Sequence, residues 1–231
     1  MIFEQLFDED TSTYTYFLCC ERTRQAVLID PVLSEQDNYL HLLKKHNAQL
    51  VYTLETHVHA DHVTAAASLR AMLCSRSVVH QDGGAACADV LVKDGDELSV
   101  GDLKIRVLHT PGHTNGCVSY VVDDKVFTGD ALLIGGCGRT DFQQGDPGKL
   151  YDSIHEKLFS LPPETRVYPG HDYRGNTVST IEQEMHCNER LGRERSRESF
   201  IQLMNNLKLD LPRHIHSAVP ANQACGGSLA A

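Results

Sequence analysis

Basic residues are in short supply in this chain: 21 lysines and arginines face 31 aspartates and glutamates, for a formal net charge of −10. A general affinity for nucleic acid or for an anionic membrane needs a basic face, so neither partner is expected beyond a local patch. No apolar run is long enough to cross a bilayer. The start Met1-Ile2-Phe3-Glu4-Gln5-Leu6-Phe7 lacks the basic-then-apolar pattern of a signal peptide and the arginine richness of a transit peptide. Among the eight cysteines there is no C-x-x-C pair, which leaves a zinc knuckle and a thioredoxin-like motif without support. Scattered through a chain without an export signal, these cysteines are expected to be reduced, mostly as small buried hydrophobes, in a cytoplasmic protein. No repeat, low-complexity tract or linker divides the sequence, and 41% apolar residues suffice for one domain over residues 1–231. Only the end, Gly226-Gly227-Ser228-Leu229-Ala230-Ala231, is expected to fray into a mobile tail.

What is present runs from strand-rich to helical. Thr15 to Cys20 and Gln25 to Ile29 read as paired strands, the second ended by Asp30-Pro31. Ser34 then caps a helix that carries Leu40 and Leu43 into the basic turn Lys44-Lys45-His46. Short strands are expected at Leu50 to Leu54, Val78 to His80, Lys104 to His109, Cys117 to Val122, Lys125 to Thr128 and Arg166 to Tyr168. Helices are expected at Val63 to Met72 and Lys149 to Leu158. A last helix carries Phe200, Leu203, Met204 and Leu207 at the i, i+3, i+4, i+7 positions of one apolar face.

Chemistry concentrates where strands end. His57-Val58-His59-Ala60-Asp61-His62 follows the strand Leu50 to Leu54 and packs three imidazoles and a carboxylate together. In extended chain His57 and His59 share a face, about 6.6 Å apart at their α-carbons. This mixture of nitrogen and oxygen donors suits zinc, iron or manganese better than calcium or magnesium. In His109-Thr110-Pro111-Gly112-His113, the Pro-Gly pair forbids the helix that would align the two histidines. His113, in the turn, is the better ligand candidate, and His109 reads as a buried or supporting histidine. Asp130 follows the glycine that ends Lys125-Val126-Phe127-Thr128-Gly129, and His171 is delivered by Pro169-Gly170 after a strand. Four strand-end loops converging on one edge make a binding site on a rigid scaffold.

The order His57-x-His59-x-Asp61-His62, His113, Asp130, His171 resembles the metallo-β-lactamase superfamily. That resemblance implies an α/β fold, an αββα sandwich of two mixed sheets with helices outside and a metal site at one edge. The segments Ile134-Gly135-Gly136-Cys137-Gly138-Arg139-Thr140-Asp141-Phe142-Gln143, Pro169-Gly170-His171-Asp172-Tyr173 and Ala218-Val219-Pro220-Ala221-Asn222-Gln223-Ala224-Cys225-Gly226 are similar to the persulfide (sulfur) dioxygenases. The resemblance implies one Fe(II) per chain held by His57, His113 and Asp130, with His59, Asp61, His62 and His171 as hydrogen-bonding neighbours. It implies as substrates O₂ and glutathione persulfide, converted to sulfite and glutathione. Arg139 is a candidate for a glutathione carboxylate, through its planar fork, with an ion pair to Asp141 as its other reading. The resemblance adds Tyr173 and Arg174 as substrate contacts. Cys137 and Cys225 fall in the similar segments, as near-site thiols or as packed ones.

Two other functions stay open at this stage. A glyoxalase II-like hydrolase would hold two metals, one on His57, His59 and His113 and the other on Asp61, His62 and His171, bridged by Asp130, with a hydroxide attacking a glutathione thioester. The Gly138 to Phe142 and Ala218 to Asn222 segments and the short C-terminal region speak for the dioxygenase. A non-catalytic metal- or thiol-binding protein would have no reason to keep the full donor set. A homodimer is compatible with the sequence.

Overall fold

A computed structural model describes residues 1–192, 194–211 and 214–227. Consecutive stretches of chain build two six-stranded sheets. The first follows sequence order through β1 (Ile2–Asp8), β2 (Thr13–Cys19), β3 (Gln25–Ile29), β4 (Gln49–Leu54), β5 (Arg76–His80) and β6 (Val90–Val92). β1 to β3 pair antiparallel and β3 to β6 parallel. Helices α1 (Gln36–Lys45) and α2 (Ala66–Leu73) supply the crossovers from β3 to β4 and from β4 to β5 that parallel pairing requires. The second sheet contains β7 (Glu97–Val100), β8 (Leu103–His109), β9 (Val118–Val122), β10 (Lys125–Gly129), β11 (Arg166–Pro169) and β12 (Ser179–Thr180), in reverse sequence order across the sheet. Its one parallel pair, β10 with β11, is joined through α3 (Pro147–Ser153) and a π-helical turn, Ile154–Leu158. Helices α4 (Ile181–Cys187), α5 (Arg197–Asn205) and α6 (Ile215–Gln223) follow. Among the described residues no helix is long and apolar enough to cross a membrane.

Side-chain alternation assembles the layers. Tyr14, Tyr16 and Leu18 of β2 face Ile105, Val107, Tyr120 and Phe127 of the other sheet and form the inter-sheet core. The intervening Phe17 and Cys19 point outward under Tyr39, Leu42 and Leu43 of α1 and Leu69 of α2. On the second sheet Phe127 and Tyr168 turn inward, while Val126 and Val167 meet Leu150, Ile154 and Phe200 of the outer helices. A period of two sends neighbouring apolar residues to opposite faces, and both faces are covered, so the result is the αββα sandwich that the resemblance implied. At one edge the loops after β3, β4, β8, β10 and β11 meet and are tied across the sheets by Val118 N–H to Thr56 O and Tyr14 N–H to Gly170 O, both 2.8 Å.

Several expectations are corrected. The second helix begins at Ala66, not Val63, because Val63 O accepts from Leu33 N–H and Thr64 N–H donates to Asn222 Oδ1 instead. Ser34 lies in a short 3₁₀ turn, Leu33–Glu35, and bonds Asp8 rather than capping α1. The expected helix from Lys149 to Leu158 changes from α to π geometry at Ile154. Leu207 lies past the end of α5 yet still packs on its core. Gly226 and Gly227 do not fray: Gly226, at φ +80°, sits where an added Cβ would meet Thr64 O at 2.1 Å, and residues 228–231 lie outside the described residues. The cysteines are not all reduced, since Cys87 and Cys225 form a disulfide across 138 residues. Cys225 is therefore not a near-site thiol. Cys19, Cys20, Cys117 and Cys137 are buried thiols as expected, whereas Cys74 and Cys187 are exposed. Alkylation of denatured, unreduced protein is expected to modify six cysteines, and all eight only after reduction; eight without reduction would show that the bond is absent.

Candidate metal centre

The backbone delivers the donors by strand termination. Thr56 and His57 leave β4, His113 lies in the turn between β8 and β9, Asp130 follows Gly129 of β10, and His171 follows Gly170 after β11. Gly129 adopts φ +51° with Thr56 Oγ1 only 2.3 Å from where its Cβ would stand, so no larger residue could bring Asp130 against the His57 loop. Gly138 plays the same part, its missing Cβ leaving room 2.9 Å from His113 Nδ1.

One donor atom each of His57, His113 and Asp130 lie within 4.8 Å of one another, and so do those of His59, Asp61 and His62. The histidines of the first trio share an orientation. His57 Nδ1 donates to Thr56 Oγ1 at 3.0 Å, and that hydroxyl donates onward to Asp30 Oδ2 at 2.8 Å. His113 Nδ1 donates to Arg139 O at 2.7 Å. Each keeps its proton on the outward nitrogen and leaves Nε2 with a free lone pair, as a ligating imidazole must. Burial, with His59 and His113 adding to it, pushes the His57 pKa well below the ordinary histidine value, so the ring is neutral and able to ligate. Asp130 Oδ1, His59 Nδ1 and His62 Nε2 are buried without a hydrogen-bond partner. Orphaned buried polar atoms within both donor groups fit bound cations or their water.

His59 differs from its neighbours. Its Nε2 lies 3.0 Å from Asp30 Oδ1 and 3.5 Å from Glu55 Oε2, all three residues being buried. Burial opposes its charged form, but the two carboxylates outweigh that and hold its pKa well above the ordinary value. Asp61 accepts from His62 Nδ1 at 2.8 Å and lies 3.6 Å from His171 Nε2. Burial would raise the Asp61 pKa, yet His171 and His62 hold it well below the usual carboxylate range. His171 Nε2 is also 3.6 Å from Asp130 Oδ1, so it bridges the two halves of the cluster, while its Nδ1 donates to Ser12 O at 3.1 Å. The carboxylates overcome burial and raise its pKa. His109 stands apart: its ring stacks on His80 at 3.9 Å and 14°, and its Nε2 donates to Asn115 O. With Asp82 these two histidines bring one donor atom each within 4.8 Å of one another, a further group outside the cluster described above.

The cluster opens into a cavity of about 620 Å³, lined further by Leu133 to Arg139, Phe142, Tyr173, Arg174, Arg190 and Leu209. Arg139 reaches this cavity but is engaged: it grips both oxygens of Asp141 at 2.6 Å, donates to Asp210 O and lies 4.4 Å over the Phe142 ring. The ion-pair reading is the one the structure shows, and a ligand carboxylate at Arg139 would have to compete with Asp141. Tyr173 is 74% exposed, its ring parallel to that of His171, and Arg174 approaches Glu189 at 3.9 Å. Cys137 lines the cavity, but burial pushes its thiol up to about 11. Asp30, Glu55, Thr56 and Thr13 were not singled out from the sequence, and Asn222 appeared there only as part of a family-like segment; Asp30 carried a signal as the polar residue that ends β3, where it adopts φ +52°.

The metallo-beta-lactamase superfamily model matches residues 8–72 and 88–171, an interval that includes every donor described. Human mitochondrial persulfide dioxygenase ETHE1 is 46% identical over 229 residues, 98% of this chain and 89% of that one. The crystal structure of ETHE1 from Myxococcus xanthus superposes with a TM-score of 0.96 at 53% identity, covering 98% of this chain and all of that one. A cytoplasmic hydroxyacylglutathione hydrolase of Arabidopsis thaliana is 36% identical over 178 residues, 73% of this chain and 66% of its own. Likeness to the dioxygenases thus runs almost end to end, through the α6 segment as well as the donor loops, and the chain belongs to the persulfide dioxygenase family of the metallo-beta-lactamase superfamily.

Proposed function

We propose that this enzyme is a glutathione-dependent persulfide dioxygenase holding one Fe(II) on His57, His113 and Asp130. The observation that carries this reading is likeness to the persulfide dioxygenases over 98% of the chain, which coincides here with the converging trio His57, His113 and Asp130. His57 and His113 are anchored through Nδ1 and leave Nε2 free, and His59 is anchored through Nε2 to Asp30 at 3.0 Å. Likeness to the persulfide dioxygenases, at 46% identity over 98% of the chain, favours a single ion on the two-histidine, one-carboxylate set over a dinuclear site, for which His59, Asp61 and His62 would be the second group of donors. Such a set leaves positions open for substrate and oxygen, and Fe(II) there supplies the redox chemistry that O₂ requires.

The net reaction balances as glutathione persulfide, O₂ and water giving glutathione, sulfite and two protons. The chain's part is to bind, orient and handle those protons. The cavity volume of about 620 Å³ suits a tripeptide-sized ligand. Arg139, Tyr173 and Arg174 at its wall would meet the glutathione portion, and Leu133, Ile134 and Phe142 give it apolar surface. His171, between Asp61 and Asp130 and anchored through Nδ1 on Ser12 O, would place Nε2 beside the reacting centre, and His62 with Asp61 would orient water there.

The test measures iron by metal analysis on anaerobically purified protein, then oxygen uptake and sulfite release with glutathione persulfide, using a glutathione thioester as control. About one iron per chain, with oxygen consumed and sulfite formed, is the expected result. Two zinc ions per chain with thioester turnover and no oxygen uptake would move the assignment to the hydrolase, and no turnover of either substrate would leave a binding protein.

A further inference from the structure

The loop from His57 to Val63 carries most of the donors yet belongs to no helix or strand, so its carbonyls and N–H groups need other partners. One side chain from the far end of the chain supplies several of them. Asn222, buried on α6, donates from Nδ2 to His59 O at 2.9 Å and to His62 O at 2.7 Å. Its Oδ1 accepts from Thr64 N–H at 2.9 Å. Both amide protons and the carbonyl are used, and all three bonds go to the loop backbone. Thr64 in turn donates through Oγ1 to Glu55 Oε1 at 2.6 Å, and the other Glu55 oxygen faces His59 Nε2. The same end of α6 is anchored three further ways, by Ala67 N–H to Cys225 O, by Gly226 lying directly against Thr64 O, and by the Cys87–Cys225 disulfide.

We propose that Asn222 is a positioning residue of the metal centre, fixing the backbone of His59, His62 and Thr64 so that the histidine loop presents its donors at a constant spacing. The residue touches neither ion nor substrate; it acts through the loop. This inference rests on an ion held at His57, His113 and Asp130, but not on the identity of the substrate. Asparagine is required because the site presents two acceptors and one donor. Aspartate has the same shape and can donate to neither carbonyl, so Asn222→Asp turns two bonds into repulsions. The fall of Ala218-Val219-Pro220-Ala221-Asn222 in a similar segment of the family thereby gains a physical reason at its last residue.

The test uses cobalt(II) as the probe ion on the full chain, with its visible d–d spectrum as the reporter of donor geometry and chelator competition as the measure of its release. Asn222→Asp is expected to release cobalt about 10- to 100-fold faster than wild type, the usual size of an effect from the shell behind the ligands, and to shift the d–d bands. Leu43→Ala, which opens space under α1 on the outer face of the first sheet, serves as a control of matched thermal stability and is expected to leave spectrum and release unchanged. If Asn222→Asp is not recovered folded, Asn222→Ser carries the same test, since a hydroxyl cannot span all three partners. A wild-type spectrum and release rate in a folded Asn222 variant would overturn the proposal, as would equal changes in Leu43→Ala. Wild-type protein that takes up no cobalt would overturn the metal placement and this inference together.

Discussion

Substituting His113 by Ala is expected to give folded protein without its metal and with oxygen uptake reduced on the order of 10³-fold or more, because a ligand and the open coordination it defines are lost together. His57→Ala should behave alike. His62→Ala, in the same loop, should keep its metal near the wild-type level while turnover falls about 10- to 100-fold, as expected when a hydrogen-bonding group behind the ligands is removed. The contrast follows from geometry. His62 Nδ1 is committed to Asp61 and His62 groups with His59 and Asp61, whereas His57 and His113 group with Asp130. Metal analysis and circular dichroism on the three variants decide the matter. Equal metal loss in His57→Ala and His62→Ala would sink the single-ion arrangement in favour of a dinuclear one.

Phe127→Ala is expected to cost about 3–5 kcal/mol of stability, the range for emptying a buried aromatic site. Phe127 is fully buried on β10, with the rings of Tyr16 at 4.9 Å, Tyr168 at 5.4 Å and Phe3 at 6.1 Å. These rings belong to both sheets, so the void falls in the layer that holds the sheets in register. Arg106→Ala, on the exposed side of β8, should change stability by less than about 0.5 kcal/mol. Urea denaturation of both variants measures the difference. A Phe127→Ala loss under about 1 kcal/mol would mean that the inter-sheet layer collapses around the gap and is not what fixes the sheets. Metal retention during the same titration is informative, because β10 and β11 carry Asp130 and His171 at their ends.

Much of the fold was legible because strands and helices declare themselves locally. Gln25 to Ile29 was read with its observed bounds, and most other strands within a residue or two, since apolar and β-branched runs end at glycine, proline or aspartate. Short elements were not. β6, β7 and β12 contain three, four and two residues, too few for a period to show, and they exist because a neighbouring strand offers its edge. β1, at the start of the chain, was missed for a related reason: Glu4 and Gln5 interrupt its apolar pattern, and its pairing with β2 overrides them.

The sequence by itself determined which donor types exist, their order along the chain, and that each sits at a strand end, because Pro-Gly and Gly-Asp steps stop strands by purely local sterics. With the segments around Arg139 and Asn222 it also pointed to the family. Only the tertiary structure decided which donors face a common point. His57, His59 and His62 are near neighbours in sequence, yet one leaves Nε2 free and another is drawn onto Asp30 and Glu55, a choice made by residues 29 and 4 positions away. The engagement of Arg139 with Asp210, the pairing of Cys87 with Cys225 and the reach of Asn222 to His59 across 163 positions are of the same kind. Sequence spacing carries the periodicity of one element, whereas hydrogen bonds and side-chain contacts between distant elements arise only when the two sheets close and the polar groups at their shared edge must find partners out of water.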